Sequence, residues 1–245
     1  MQLTDPQSTP RPASRRLDRR VVLITGGGSG AGAAVARRCG AQGASVVVAD
    51  IDYALAGEVA ASIRGAGGNA LAHRCDVASG DQVRDLIDRA VREFGGLDLV
   101  FNIAGPWLDN DPLEHWARIA SVNLLGTLQV TRQSLDVLRL RGGSIVNVAA
   151  DSGLGFGADD RPAYSAAKAG VMRLTAALRA WHREHRVRVN CIVPDVIDSA
   201  DEFADAVLEL ALREDCAGRV VLYRAGKPLE IIEYGDQGYR QLEAG

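Results

Sequence analysis

The chain has 245 residues, a formal net charge of -3, and 47% hydrophobic and 24% charged residues. That length accommodates one large α/β domain or two small ones with a substantial core. The weak acidic balance gives no reason to expect nucleic acid or an anionic membrane as a partner, and no apolar run approaches a membrane span. Residues 1–20 carry Pro6, Pro10 and Pro12, little apolar content and a basic end, and read as a disordered leader without a signal-peptide core. Cys39, Cys75, Cys191 and Cys216 are scattered, with no CxxC or Cys/His cluster. They read as buried free thiols of a cytoplasmic protein, with no metal site.

From Val21 the pattern alternates. VVLIT at 21–25 is an apolar run that leads directly into TGGGSGAG at 25–32 and an Ala-rich helix over 30–39. In that turn Gly26 permits the tight bend, Gly30 lets a pyrophosphate approach the backbone, and Gly32 allows close helix–strand packing. The helix N-terminus adds free N–H groups and a positive dipole end. A glycine cluster alone is equally a plain turn; its place between strand and helix marks a dinucleotide site. SVVVA at 45–49 ends at Asp50. An acid there accepts hydrogen bonds from an adenosine ribose and repels a 2′-phosphate, which favours NAD over NADP. Ser29 adds no positive charge, and Arg37 and Arg38 lie further along the helix.

Further strands are expected at 70–75 (ALAHRC), 97–102 (LDLVFN), 144–149 (SIVNVA), 187–193 (VRVNCIV) and 219–223 (RVVLY). Helices are expected at 53–64, 81–94, 113–139, 163–183 and 200–213. Continuous apolar strands alternating with helices imply right-handed βαβ crossovers and a sheet buried on both faces. The expected architecture is a single Rossmann-type domain over 21–229, with a doubly wound, mostly parallel seven-stranded sheet and a C-terminal tail over 230–245. Within the helix at 163–183, YSAAK places Tyr164 and Lys168 four residues apart, on one helix face and roughly 6 Å apart along the axis. A cation beside a phenol lowers its pKa from about 10 and makes it a usable general acid or base.

Taken in order, TGGGSGAG, Asp50, Asp76-Val77, NIAG at 102–105, Asn123 in SVNLLG, SIVNVA, YSAAK and VRVNCIVP resemble the short-chain dehydrogenase/reductase family from about residue 17 to 229. The resemblance implies cofactor contacts at Ser29, Ala31 and Ile51 beside the glycines and Asp50. It implies that Asp76 and Val77 hold the adenine edge, that Asn102, Ala104 and Gly105 line the cofactor, and that Pro194 and Ile197 face the nicotinamide. Tyr164 then exchanges a proton with the substrate oxygen. Lys168 binds the nicotinamide ribose and lowers the tyrosine pKa, and Asn123 holds a water that relays protons. A homo-oligomer, dimer or tetramer, is implied by the helices at 113–139 and 163–183.

The chain departs from the family pattern twice. Where the family places a serine three residues after the asparagine of the fifth strand, this chain has Ala150, and the nearest hydroxyl is Ser152. Either Ser152 substitutes or the oxygen of the substrate loses a hydrogen bond of about 3 kcal/mol in the transition state. After Pro194 the usual glycine is Asp195, and VIDSA runs almost directly into the next helix, so the lid found in many relatives is nearly absent. The tail, with Ile231, Ile232, Tyr234 and Tyr239, is either a cover for the site or a free end. Trp107, Leu108, Leu154 and Phe156 are candidates for an apolar substrate wall or ordinary loop residues; Trp116 and Trp181 read as packing or subunit-contact residues. The leading expectation is an NAD-dependent oxidoreductase acting on a small secondary alcohol or ketone. A nucleotide-binding partner protein with impaired redox activity, and a lyase, isomerase or cyclase using Tyr164, are the alternatives.

Overall fold

A strand buried on both faces must pair its backbone groups with neighbouring strands and present apolar side chains in both directions. The first strand does both. Val22 and Ile24 enter one hydrophobic cluster, while Val21 and Leu23 enter another on the opposite face. The computed structural model describes residues 16–105, 112–155 and 160–232. Its strands are β1 (Val21–Thr25), β2 (Ser45–Asp50), β3 (Asn69–Arg74), β4 (Leu99–Asn102), β5 (Gly143–Val148), β6 (Val187–Pro194), β7 (Val220–Tyr223) and β8 (Glu230–Ile231).

They form one sheet in the order β3-β2-β1-β4-β5-β6-β7-β8. The pairs from β3 through β7 are parallel, and β8 runs antiparallel to β7. The doubly wound parallel sheet is as expected, with eight strands in place of seven. The extra strand comes from residues counted with the tail. Gly226, at φ 67°, reverses the chain after β7, and Glu230 and Ile231 then pair with Leu222 and Val221. Ile231 packs against the core, so the last turn satisfies backbone groups and buries apolar surface together.

The helices are α1 (Gly30–Ala41), α2 (Tyr53–Gly65), α3 (Gly80–Phe94), α4 (Trp116–Ala120), α5 (Thr127–Leu138), α6 (Pro162–Ala177), α7 (Trp181–His185) and α8 (Ala200–Leu212). Their starts carry local signals. Asp52 accepts from the N–H groups of Ala54 and Leu55 at 2.9 and 3.2 Å, Ser79 and Ser199 cap α3 and α8, and Pro162 occupies the first turn of α6. The two long helices expected from the periodicity are each interrupted. Between α4 and α5 the path widens into a π turn over Ser121–Gly126, and a 3-10 turn over Leu178–Ala180 separates α6 from α7. Gly126 sits in the widened turn because a Cβ there would strike the Val77 side chain.

Residues 16–20, expected as the end of a disordered leader, are packed on the domain. Leu17 is fully buried and belongs to the core cluster of α1 and α8, and its N–H donates to the Gln42 carbonyl at 3.1 Å. Arg20 pairs with the buried Asp98 at 3.0 Å, and Asp98 also accepts from the Val21 N–H at 2.8 Å. Residues 16–20 therefore belong to the domain. The composition of 1–20 hid this because a single leucine in a polar stretch carries no periodicity.

Inside the sheet, Asn102 on β4 donates to Asn147 on β5 at 2.8 Å and to Thr131 on α5 at 3.1 Å. Asn147 donates in turn to Thr175 on α6 at 3.0 Å. These fully buried bonds tie the two central strands to the helix that carries Tyr164 and Lys168. Buried amides left unpaired would each cost about 1–3 kcal/mol, so the set acts as a positional lock.

Leu17→Ala removes a fully buried side chain and is expected to lower the unfolding free energy by about 2–5 kcal/mol. Denaturant unfolding of both proteins measures this, and an unchanged midpoint would show that the segment is not anchored.

Candidate active site

In a parallel sheet every strand ends on the same edge, and the crossovers leave a crevice where the strand order reverses. Here the reversal lies between β1 and β4. A cavity of about 870 Å³ opens along that edge and is lined by residues that follow β1, β2, β3, β4, β5 and β6.

The glycine turn forms one end. Gly26 has φ 67°, and a Cβ on it would lie 2.8 Å from the Ala104 backbone. Gly32 could not carry a Cβ without colliding with the Gly26 carbonyl. Gly30 is the opposite case: at φ 48° its Cβ would meet nothing within 4 Å, so the start of α1 faces open space inside the cavity. Ser29 precedes it in extended conformation and makes no side-chain cap. Next to this turn, one carboxylate oxygen of Asp50 accepts from the Gly28 N–H at 2.9 Å and the other from the Asp52 N–H at 3.1 Å. Asp50 is thereby held at the cavity rim with lone pairs to spare for further donors. An open helix N-terminus, a close-packed glycine bend and a fixed acid at the end of β2 fit the pyrophosphate and ribose of a dinucleotide.

Asp76 and Val77 also line the cavity. Asp76 accepts from the Ala78 N–H at 3.0 Å and forms an ion pair with Arg118 of α4 at 3.0 Å. Ala104 and Gly105 line the wall after β4, whereas Asn102 does not: it is committed to the buried amide set between the strands. Ala31, Ile51, Pro194 and Ile197 line the cavity, joined by Asp195 and Val196.

At the other end of the cavity lie Tyr164 and Lys168. The Lys168 Nζ is 5.3 Å from the Tyr164 ring centroid and donates to the Val148 carbonyl at 3.0 Å. A Cβ on Gly105 would lie 3.1 Å from that Nζ and would collide with Asn123 Oδ1, so the glycine, the lysine and the asparagine abut. Asn123 is fully buried in the π turn and donates to the Ile119 carbonyl at 3.1 Å. It stands behind the cavity wall and reaches the site through Gly105 and Lys168.

Burial governs the two titrating groups. It pushes the Lys168 ammonium down to about 8, and Cys191 only partly opposes it. It also pushes the Tyr164 phenol up, with the Arg161 cation pulling it down and Asp151 pushing it up further. The ammonium is turned to the Val148 carbonyl and is itself desolvated, and Arg161 is a cation that acts against the burial of the phenol. Its guanidinium carbon lies 5.6 Å from the Tyr164 ring centroid, and it lines the same cavity.

Ser152 is not brought to the cavity. It sits in a 3-10 turn over Asp151–Gly153, and its Oγ is buried and finds no hydrogen-bond partner among the described residues. Gly153 presses this turn against α6, where a Cβ would come within 2.6 Å of Met172 and 2.7 Å of the Ala169 nitrogen. Ala150 and Asp151 line the cavity instead. Leu154 packs against the core cluster containing Val171 and Met172. Trp107, Leu108, Phe156, Tyr234 and Tyr239 lie outside the described residues. Trp181 packs on the core, and Trp116 is 40% exposed.

The residues missed by sequence reasoning are Arg161, Asp151, Asp195 and Arg118. For Arg161 a signal existed: Arg-Pro immediately before the tyrosine helix marks its first turn and places the arginine at the helix mouth. The other three have no local signature.

Comparison with known proteins agrees with this architecture. A model of the short chain dehydrogenase family matches residues 20–206. The chain is 36% identical over 220 residues to the cis-4-hydroxycyclohexanecarboxylate dehydrogenase of Sinomonas cyclohexanicum, covering 87% of this chain and 86% of that protein. Among solved structures it is similar to a short chain dehydrogenase from Mycobacterium avium, with a TM-score of 0.81, 32% identity, and coverage of 91% of this chain and 90% of that one. It is also similar to a metagenomic short-chain oxidoreductase in complex with NADP, with a TM-score of 0.77, 29% identity, and coverage of 85% and 98%.

The Lys168 shift has a pH consequence. The unfolded chain keeps that proton up to about 10.4, so between about 8 and 10 the folded chain binds fewer protons and its stability rises with pH. Relative to Lys168→Met, the wild type is expected to gain about 3 kcal/mol of unfolding free energy from pH 7 to pH 11. Parallel pH series of denaturant unfolding measure the difference; a flat difference would mean the lysine is not desolvated.

Proposed function

The chain belongs to the short-chain dehydrogenase/reductase family, and from that premise we propose that it is an NAD-dependent oxidoreductase interconverting a small secondary alcohol and its ketone, with Tyr164 as general acid and base. The observation that carries the reading is the convergence of Tyr164, Lys168 and the Gly26–Gly30–Asp50 cradle on one cavity. The cofactor supplies or accepts the hydride when bound. The chain does the rest. Tyr164 passes its proton to the substrate oxygen in reduction and takes it back in oxidation. Lys168, 3% exposed and bonded to the Val148 carbonyl, stands beside the phenol to restore its proton. Asn123 anchors a water that connects Lys168 to solvent.

Gly26, Ser29, Gly30 and Ala31 would hold the pyrophosphate on the start of α1. Asp76 and Val77 would border the adenine, Ala104 and Gly105 the middle of the cofactor, and Pro194 and Ile197 the nicotinamide. The preference for NAD rests on Asp50 and Ile51 at the ribose and on where the nearby arginines go. Arg38 pairs with Asp205 of α8 at 2.8 Å, Arg118 pairs with Asp76, and Arg74, beside Asp50 in the sheet register, does not line the cavity. A 2′-phosphate would meet a carboxylate without a neutralising partner among the described lining residues there. The four buried free thiols suit the reducing cytoplasm. Exposed Trp116, Leu125 and Leu128, on α4, the π turn and α5, suit a homo-oligomer.

One observation favours a second reading, a nucleotide-binding partner protein with little redox activity. Ala150 presents no hydroxyl, and the Ser152 hydroxyl is buried away from the cavity.

Two measurements separate the readings. By calorimetric titration NADH is expected to bind about tenfold or more tightly than NADPH, and Asp50→Ala to erase most of that ratio; equal affinities in the wild type would overturn the NAD assignment. With NAD(H) and a panel of cyclic and acyclic alcohols and ketones, turnover is expected, and Tyr164→Phe should lower kcat by about 100- to 10,000-fold. Tight NADH binding with no turnover of any substrate would establish the second reading instead.

A further inference from the structure

Reduction of a ketone places negative charge on its oxygen before the proton from Tyr164 has fully arrived, and a second donor aimed at that oxygen stabilises the transition state more than the ground state. Among the described residues no serine or threonine hydroxyl stands beside Tyr164 in the cavity: position 150 is alanine, and Ser152 Oγ is buried off the cavity in a turn wedged against α6. Among the described residues that line the Tyr164 end of the cavity, the side chains able to donate are Tyr164, Lys168 and Arg161. Lys168 is held by the Val148 carbonyl. The planar Arg161 guanidinium lies against the Tyr164 ring, 5.6 Å from its centroid.

Resting on the oxidoreductase reading above, we infer that Arg161 is the second donor to the reacting oxygen, so that the site works through Tyr164, Lys168 and Arg161 with no serine. Tyr164 gives up the proton and the carbonyl carbon receives the hydride, with the carbonyl π pair moving onto the oxygen. Arg161 keeps all its protons and only hydrogen-bonds the oxygen as its charge grows. The guanidinium has a second effect on the same phenol. Tyr164 faces Arg161 and Lys168 from its own helix and Asp151 from the 3-10 turn, and Arg161, whose Nε also pairs with Asp160 at 3.5 Å, opposes burial and Asp151. The placement of Arg161 is fixed by the chain: it is the residue before Pro162, whose ring forces the preceding residue out of helical geometry. Its backbone, at φ -123° and ψ 60°, stands outside the helix at the mouth.

The experiment compares wild type, Arg161→Lys, Arg161→Ala and Arg161→Ala combined with Ala150→Ser, by steady-state kinetics over pH and by ultraviolet titration of Tyr164, each read against its Tyr164→Phe counterpart. Arg161→Ala is expected to lower kcat about 100-fold with little change in KM, and to move both the alkaline rise of the oxidation rate and the phenol titration to higher pH. Arg161→Lys keeps the titration near its wild-type position, and adding Ala150→Ser to Arg161→Ala restores a large part of kcat through a new hydroxyl donor. An active wild type whose kcat and phenol titration are both untouched by Arg161→Ala overturns the role of Arg161 alone. A wild type that turns over no substrate overturns the oxidoreductase reading, and the role of Arg161 in it falls as well.

Discussion

Parallel pairing is the constraint from which the rest of this molecule follows. Each parallel strand needs a crossover that returns over a face of the sheet, so helices cover both faces and every strand ends on one edge. The strands must then be apolar in both directions, as β1 is with Val22 and Ile24 on one side and Val21 and Leu23 on the other. Because winding reverses between β1 and β4, the helices diverge there and the edge opens into the cavity. The chemistry-bearing residues sit after β1, β2, β3, β4, β5 and β6 for that reason. Residues far apart in sequence share one wall because their strands share one edge.

Burial is the second determinant, and it acts in opposite directions on the two groups of the YSAAK pair. It destabilises the ammonium of Lys168 and the phenolate of Tyr164 alike, so the lysine loses its proton more readily and the tyrosine less so. Near neutral pH the lysine, at about 8, still holds its proton, and the buried phenol keeps its own. A tyrosine in that setting needs positive charge from elsewhere to work as a base near neutral pH. Arg161, at the mouth of the same helix, is the charge in place, and this connects the missing hydroxyl at Ala150 with the geometry of the site. The amide set through Asn102, Asn147 and Thr175 gives the arrangement its rigidity, since it locks α6 to the centre of the sheet.

Much of the fold was legible because it is written in local patterns. Apolar runs at 21–25, 45–49 and 187–193 each became strands, and Asp52, Ser79, Ser199 and Pro162 started helices where caps and first-turn prolines belong. Other elements escaped for specific reasons. β8 is two residues long and exists only because β7 offers an unpaired edge. The π turn around Asn123 depends on how Gly126 meets Val77, a contact across the fold. Leu17 counts as core only because α1 and α8 close over it.

The sequence by itself determined the sheet class, the glycine cradle, the acid at Asp50 and the spacing of Tyr164 and Lys168. Periodicity, turn chemistry and i, i+4 geometry are properties of neighbouring residues and need no knowledge of the rest of the chain. Only the tertiary structure decided that Asn102 is spent between strands, that Ser152 is turned inward, that burial sets the direction of both pKa shifts, and that Arg161 stands over the tyrosine. Each of these depends on what a crossover brings against a side chain, and desolvation and distance come into being only when the chain has folded.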